Sequence, residues 1–180
     1  IRSGIVHRID KNTTGSLIIC KNDKAHNHIA KQIKEHSNER RYVGIVYGSF
    51  KQSEGFVDKP IGRSSNDRKK MCITDKNSKK AYTSYKVISQ GDKYSLVEFE
   101  LKTGRTHQIR VHMASINHPL LGDDVYGPKK PVKSINGIEI IGQCLHAKTI
   151  GFVDLSGKYM EFSAPIPEYM QKLIEELGLN

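Results

Sequence analysis

The chain has 180 residues, of which 37% are hydrophobic and 27% charged. That mix supports one domain with a core, and it excludes a disordered tract or a bundle of membrane-spanning helices. The 29 basic residues outnumber the 19 acidic ones to give a net charge of +10, which favours a polyanionic partner such as RNA over a neutral one.

The start, Ile1-Arg2-Ser3-Gly4, has neither an initiator Met nor the basic-then-apolar order of a secretory leader, so the chain is expected to begin inside a longer protein. Gly15 to Cys20 is an apolar run expected to be a buried strand. Asn22 or Asp23 can cap the helix that follows, with Ala25, Ile29 and Ile33 on one face. Arg40 to Tyr47 reads as a strand ended by Gly48. From Ile61 to Lys80 the chain turns basic, with Arg63, Arg68, Lys69, Lys70, Lys76, Lys79 and Lys80 against Asp67 and Asp75. It reads as a long loop, either touching phosphates or simply solvated.

Ala81 to Ile88 and Tyr94 to Leu101 are two strands joined by a turn at Gly91-Asp92. In the second, Val97, Phe99 and Leu101 define a buried face. Thr106 to Asn117 is expected to be a helix capped by Thr106 and stopped before Pro119. Ala147 to Val153 and Tyr159 to Phe162 form a hairpin around Ser156-Gly157. A last helix starts near Pro167, buries Met170, Leu173, Ile174 and Leu177, and stops at Gly178. Strands outnumber helices without regular alternation, so an α+β fold with a mixed, largely antiparallel sheet flanked by helices and loops is expected.

Cys20, Cys72 and Cys144 have no C-x-x-C spacing, so zinc ribbons and dithiol redox chemistry find no support, and reduced thiols in a cytoplasmic setting are expected. Two segments concentrate polar chemistry. His7-Arg8-Ile9-Asp10-Lys11-Asn12-Thr13-Thr14-Gly15 places one acid between two cations ahead of a turn, and a positioned carboxylate can act as a nucleophile or a base. A surface salt bridge accounts for the same letters. Thr103-Gly104-Arg105-Thr106-His107-Gln108-Ile109-Arg110-Val111-His112 opens a helix with two arginines, which suits a phosphate or a carboxylate. His107 and His112 are five apart, not the four of a helical metal pair, and are read as structural hydrogen-bonding residues.

These two segments resemble the H-R-L-D-x-x-T-S-G and G-R-T-H-Q-I-R-V-H-M signatures of the RluA family of pseudouridine synthases. Gly122 to Gly127 resembles its G-D-x-x-Y-G segment, Leu145-His146-Ala147 its L-H-A strand, and the strand through Tyr42 its K-x-Y-x-A-x-V-x-G strand. Ile9, Thr14, Arg40 and Gly44 depart mildly from those patterns. The resemblance implies a single catalytic domain over 1–180 with the pseudouridine synthase fold. Family members also carry a strand and an N-K-P motif before the acid, so the sheet is expected to lack its N-terminal segment.

By that resemblance Asp10 is the catalytic aspartate, Tyr42 the active-site tyrosine that stacks on uracil, and Arg110 the arginine paired with the acid. Arg8 would displace the target uridine, Arg105 would contact a phosphate or serve the structure, and Ile109 would pack beneath the base. The implied reaction moves uracil from an N1 to a C5 link with ribose in structured RNA, ribosomal RNA before transfer RNA. Breaking a C–N bond and forming a C–C bond in one isomer requires neither cofactor nor metal, and the enzyme is expected to act as a monomer with no membrane association. A catalytically silent RNA-binding module and an acid–base nuclease are the competing readings. The Asp10, Tyr42 and Arg110 set argues against the first. The second wants another carboxylate, a His pair or a metal cluster.

Overall fold

The computed structural model describes residues 4–67 and 69–180, so Arg68 of the basic segment and the first three residues lie outside the described residues. In chain order come strand β1 (Thr14–Gly15), helix α1 (Asp23–Glu35), β2 (Glu39–Tyr47), β3 (Glu54–Asp58), β4 (Ile61–Arg63), β5 (Met71–Ile73), β6 (Ser78–Lys79), β7 (Tyr82–Gln90) and β8 (Tyr94–Leu101). Helix α2 (Gln108–Ser115), β9 (Ser134–Ile135), β10 (Ile138–Glu139), β11 (Leu145–Val153), β12 (Tyr159–Ser163) and helix α3 (Glu168–Glu176) follow. The main sheet runs β1-β11-β2-β8-β7-β3, with β12 also on β11. Among the described residues only the β1–β11 pairing of this sheet is parallel, which is the mixed, largely antiparallel sheet expected.

Strand β2 shows why this sheet carries a site on one face. Its side chains alternate, as strand geometry requires. Tyr42 and Val46 join one apolar cluster with Phe99, Ile109, Met113 and Leu145. Val43 and Ile45 join a second on the opposite face, with Leu121, Met170 and Leu173 from the α3 side. Both faces are therefore covered, and the run from Tyr42 to Tyr47 is almost wholly apolar for that reason. Gly44 sits opposite Val97, and a β-carbon there would lie 2.9 Å from Leu120 Cδ2 and 3.2 Å from Phe99 Cε2. Larger neighbours fill the space its missing methyl leaves.

Three expectations are corrected. Gly15 to Cys20 is not a buried strand: regular pairing stops at Gly15, after which only Ile19 bridges Ile5, and Leu17 and Ile19 are 39% and 64% exposed. The segment is an edge, so its apolar letters do not report burial. The basic stretch is not a loop. β4, β5 and β6 make a small antiparallel sheet, and Ile61 and Ala81 pack with Val111 of α2 while Met71 and Ile73 close over them. The alternation was too short and too interrupted by lysines to register as strand. The cap of α2 is His107, not Thr106; it takes the left-handed conformation at φ 56° and makes no side-chain capping bond. At α1 the expected cap holds, with the Asn22 side chain accepting the Ala25 amide at 2.9 Å.

Candidate active site

The acid-bearing loop is held from below. The Thr13 amide donates to the Asp10 carbonyl at 3.0 Å, closing a tight turn through Asn12 at φ 68°. Buried Gln143 donates its amide to the Lys11 carbonyl at 2.7 Å and to Thr13 Oγ1 at 3.0 Å. Gly15 then presses against β11 so closely that a β-carbon would lie 2.3 Å from the Ala147 carbonyl oxygen. Thr14 Oγ1 meets His146 Nδ1 at 2.7 Å, so the histidine of Leu145-His146-Ala147 ties this loop to the sheet. Residues strained into positive φ at both Asn12 and His107 flank one place in the fold, a pattern common at functional sites.

Helix α2 supplies the guanidinium. Gln108 anchors its entrance, accepting from Thr103 Oγ1 and the Arg105 amide while donating to the Tyr82 carbonyl and Thr83 Oγ1. One turn in, Arg110 is nearly buried. Its Nε and Nη2 donate side by side to Asp123 at 2.8 Å each, and its Nη1 stands 3.6 Å from Asp10 Oδ2. The two-pronged partner is thus Asp123, while Asp10, the acid with which the resemblance pairs Arg110, faces the remaining nitrogen. Asp123 has no exposed surface and also accepts the Val125 and Tyr126 amides at 2.9 Å each. Burial would push its carboxyl up, but the Arg110 bonds and charge with those amides hold it below its usual value. The Tyr126 ring lies under the guanidinium at 5.1 Å, and its hydroxyl meets His107 Nδ1 at 2.7 Å.

These parts open into a cleft of about 590 Å³. Asp10, Tyr42, Arg8, Arg105 and Ile109 all line it, and Arg110 supports Asp10 from behind. Asp10 is 17% exposed, Tyr42 and Ile109 are buried in the wall, and Arg8 stands exposed at the rim. Burial first, and Asp10 after it, push the Tyr42 phenol up against the opposing pull of Arg40, so it stays protonated at neutral pH. Arg105 donates from its Nε to the Lys80 carbonyl at 2.8 Å, a bond that uses one of its three nitrogens. His107 and His112 both act as hydrogen-bonding residues, the latter between Thr83 Oγ1 and the Lys59 carbonyl. Among the described residues no three His, Cys, Asp or Glu side chains are grouped to hold a metal. Asp123, Tyr126 and Gln143 went unassigned in the sequence. The first two lay in the Gly122 to Gly127 segment, where an acid and an aromatic beside a glycine turn were the available signal.

His7, also in the cleft wall, accepts the Ile18 amide at Nε2 over 2.8 Å. Burial, then the Arg40 charge, hold it down to about 4. A histidine depressed this way stays neutral in the fold while the unfolded chain is protonated below about 6.5. Its contribution is therefore complete above that pH and is lost as pH falls toward 4. His7→Gln, which keeps an acceptor, is expected to lessen the fall in unfolding free energy across that window by about 2 kcal/mol, read by urea denaturation.

Superposition places the fold in a known class. The chain matches the human RNA pseudouridylate synthase domain containing 4 with a TM-score of 0.81 and 25% identity, covering 98% of this chain and 76% of that one. The chain belongs to the RNA pseudouridylate synthase family, whose profile it matches over residues 1–115. It is 45% identical over 181 residues to the uncharacterized RNA pseudouridine synthase YlyB of Bacillus subtilis and 47% identical over 183 residues to the ribosomal large subunit pseudouridine synthase D of Zymomonas mobilis. All or nearly all of this chain takes part, and it spans 57% of the length of each relative.

Proposed function

We propose that the chain isomerises uridine to pseudouridine in structured RNA, with Asp10 as the catalytic carboxylate. The observation that carries this is the Asp10 side chain, part-exposed in a cationic cleft beside the Tyr42 ring and 3.6 Å from an arginine whose other edge is locked to buried Asp123. In the reaction the N1–C1′ bond breaks, the uracil turns, and C5–C1′ forms as C5 loses a proton and N1 gains one. Arg110 steadies the carboxylate through that sequence, and the lock at Asp123 keeps Arg110 from turning away. Tyr42 and Ile109 offer a flat apolar wall for the base, since aromatic side chains stack on unpaired RNA bases. Arg8, exposed at the rim, would take the position of the extruded nucleotide, offsetting a flipping cost of about a few kcal/mol.

Ribosomal RNA is the proposed substrate, on the likeness to a relative named for the large ribosomal subunit, with transfer RNA as the alternative. The enzyme is read as a cytoplasmic monomer without metal or cofactor. Its three cysteines are free thiols, in keeping with a reducing compartment. Incubation with uridine-containing ribosomal RNA should yield a mass-silent isomer resolved by nucleoside chromatography, undiminished by a chelator. Intact uridine would leave a silent RNA-binding module, and strand breaks would indicate a nuclease. Tyr42→Phe keeps the ring and is expected to retain most of the turnover; complete loss would assign a role to the hydroxyl instead.

A further inference from the structure

Arg40 has no counterpart in the catalytic arrangement, yet it lies in the same cleft. It is 7% exposed, and its Nε and Nη2 have no hydrogen-bond partner among the described residues. These are the two nitrogens that Arg110 uses to grip Asp123. Arg40 forms no ion pair among the described residues, whereas its strand neighbour Arg41, pointing to the other face, is paired with Glu39 and Glu161. A nearly buried guanidinium without a counterion is costly and is retained where an anion arrives to meet it.

The surroundings favour a ligand from outside the chain. Among the described residues the cleft is lined by four cations, Arg8, Lys34, Arg40 and Arg105, against the single carboxylate of Asp10. Gly104 lies close to the guanidinium: a β-carbon there would stand 2.5 Å from Arg40 Nη1, so a larger residue would displace the end of the Arg40 side chain. Burial, reinforced by Arg105, draws the Arg40 guanidinium below its usual value, while the protonated Tyr42 phenol beside it supplies no negative charge. Arg40 stands two residues before Tyr42 on the same face of β2, one step along the wall from the proposed base platform.

We propose that Arg40, seated under Gly104 and flanked by Arg105, binds a backbone phosphodiester of the RNA strand next to the flipped nucleotide. This rests on the RNA-modifying role proposed above and adds the part of the substrate that the base platform does not hold. A phosphate between the two guanidiniums offers the paired acceptor oxygens that such forks match. It also fixes the strand on one side of the extruded base.

Binding of a uridine-containing stem-loop oligoribonucleotide, measured by fluorescence anisotropy over a range of salt, tests this without requiring turnover. Arg40→Met should weaken binding about 10-fold and reduce the slope of log affinity against log salt by about 0.7 to 0.9, one phosphate contact. The same variant without RNA should melt no lower than the parent, because an unpaired buried charge is gone; a residue kept for stability would lower it. Gly104→Ala, which keeps the charge but displaces it, should weaken binding in the same direction. A second measurement uses the parent protein: the Arg40 Nε–H resonance, identified by its loss in Arg40→Lys, should shift on titration with inorganic phosphate. An unchanged salt slope in folded Arg40→Met, or an unmoved resonance in millimolar phosphate, overturns the proposal. If the parent itself fails to bind the oligonucleotide, the RNA-modifying role falls, and the phosphate titration still decides whether Arg40 is an anion site.

Discussion

Asp10→Asn is expected to abolish pseudouridine formation, by on the order of 10³-fold or more, while leaving the melting temperature within a few degrees of the parent. The substitution keeps the shape of the side chain but removes its charge and turns one acceptor oxygen into an amide donor. Asp10 is partly exposed and makes a single 3.6 Å contact to Arg110, so little of the fold depends on it. The turn around it is held by main-chain groups, the Thr13 amide and the Lys11 carbonyl, which the asparagine leaves in place. Chromatography of nucleosides from ribosomal RNA incubated with each protein, paired with thermal melts, checks both halves. Normal turnover in the variant would remove Asp10 from the chemistry.

The second large effect belongs to Asp123, and it falls on stability as well as activity. Asp123→Ala should cost about 3 to 5 kcal/mol, because it strands the buried Arg110 guanidinium and frees two backbone amides. That is a large share of the net stability of an ordinary domain. Asp123→Asn keeps an acceptor and should fold, but with one prong lost Arg110 no longer aims at Asp10 and turnover falls about 10- to 100-fold. Combining Arg110→Met with Asp123→Leu should recover much of the lost stability and none of the activity, since an apolar pair replaces a buried ionic one. Urea denaturation and single-turnover assays separate the two. The carboxyl is held below its usual value in the fold, so its stabilisation is complete above the normal aspartate range. It is lost as pH falls through the folded value.

Much of this arrangement was legible because the sequence pattern was strong where both faces of the sheet are covered. β2, β7, β8, β11 and α3 follow from periodicity, and each packs into one of the two apolar clusters. β3 was missed because it is an edge strand of five residues whose Phe56 faces solvent at 64% exposure. The cleft residues Asp10, Tyr42 and Ile109 came from family resemblance, and the fold does bring these distant segments to one wall. Asp123 was not legible as the clamp. Nothing in Gly122-Asp123-Asp124 tells which acid turns inward: Asp123 is fully buried, while Asp124 is 61% exposed and 3.9 Å from the same guanidinium. Only the path of the chain after α2 decides between them.

The small sheet of β4 to β6 rests its inner residues on Val111, the neighbour of Arg110 on α2, while Lys69, Lys76 and Lys79 point outward. Cutting this flap away would unseat the helix and remove the outward lysines together, and the resulting inactivity would say nothing about which loss had caused it. Exchanging single outward lysines for glutamine leaves the wedge behind Val111 intact. A weaker hold on RNA with unaltered chemical-step rates would then mark the flap as a handhold, and the helix as the part it braces.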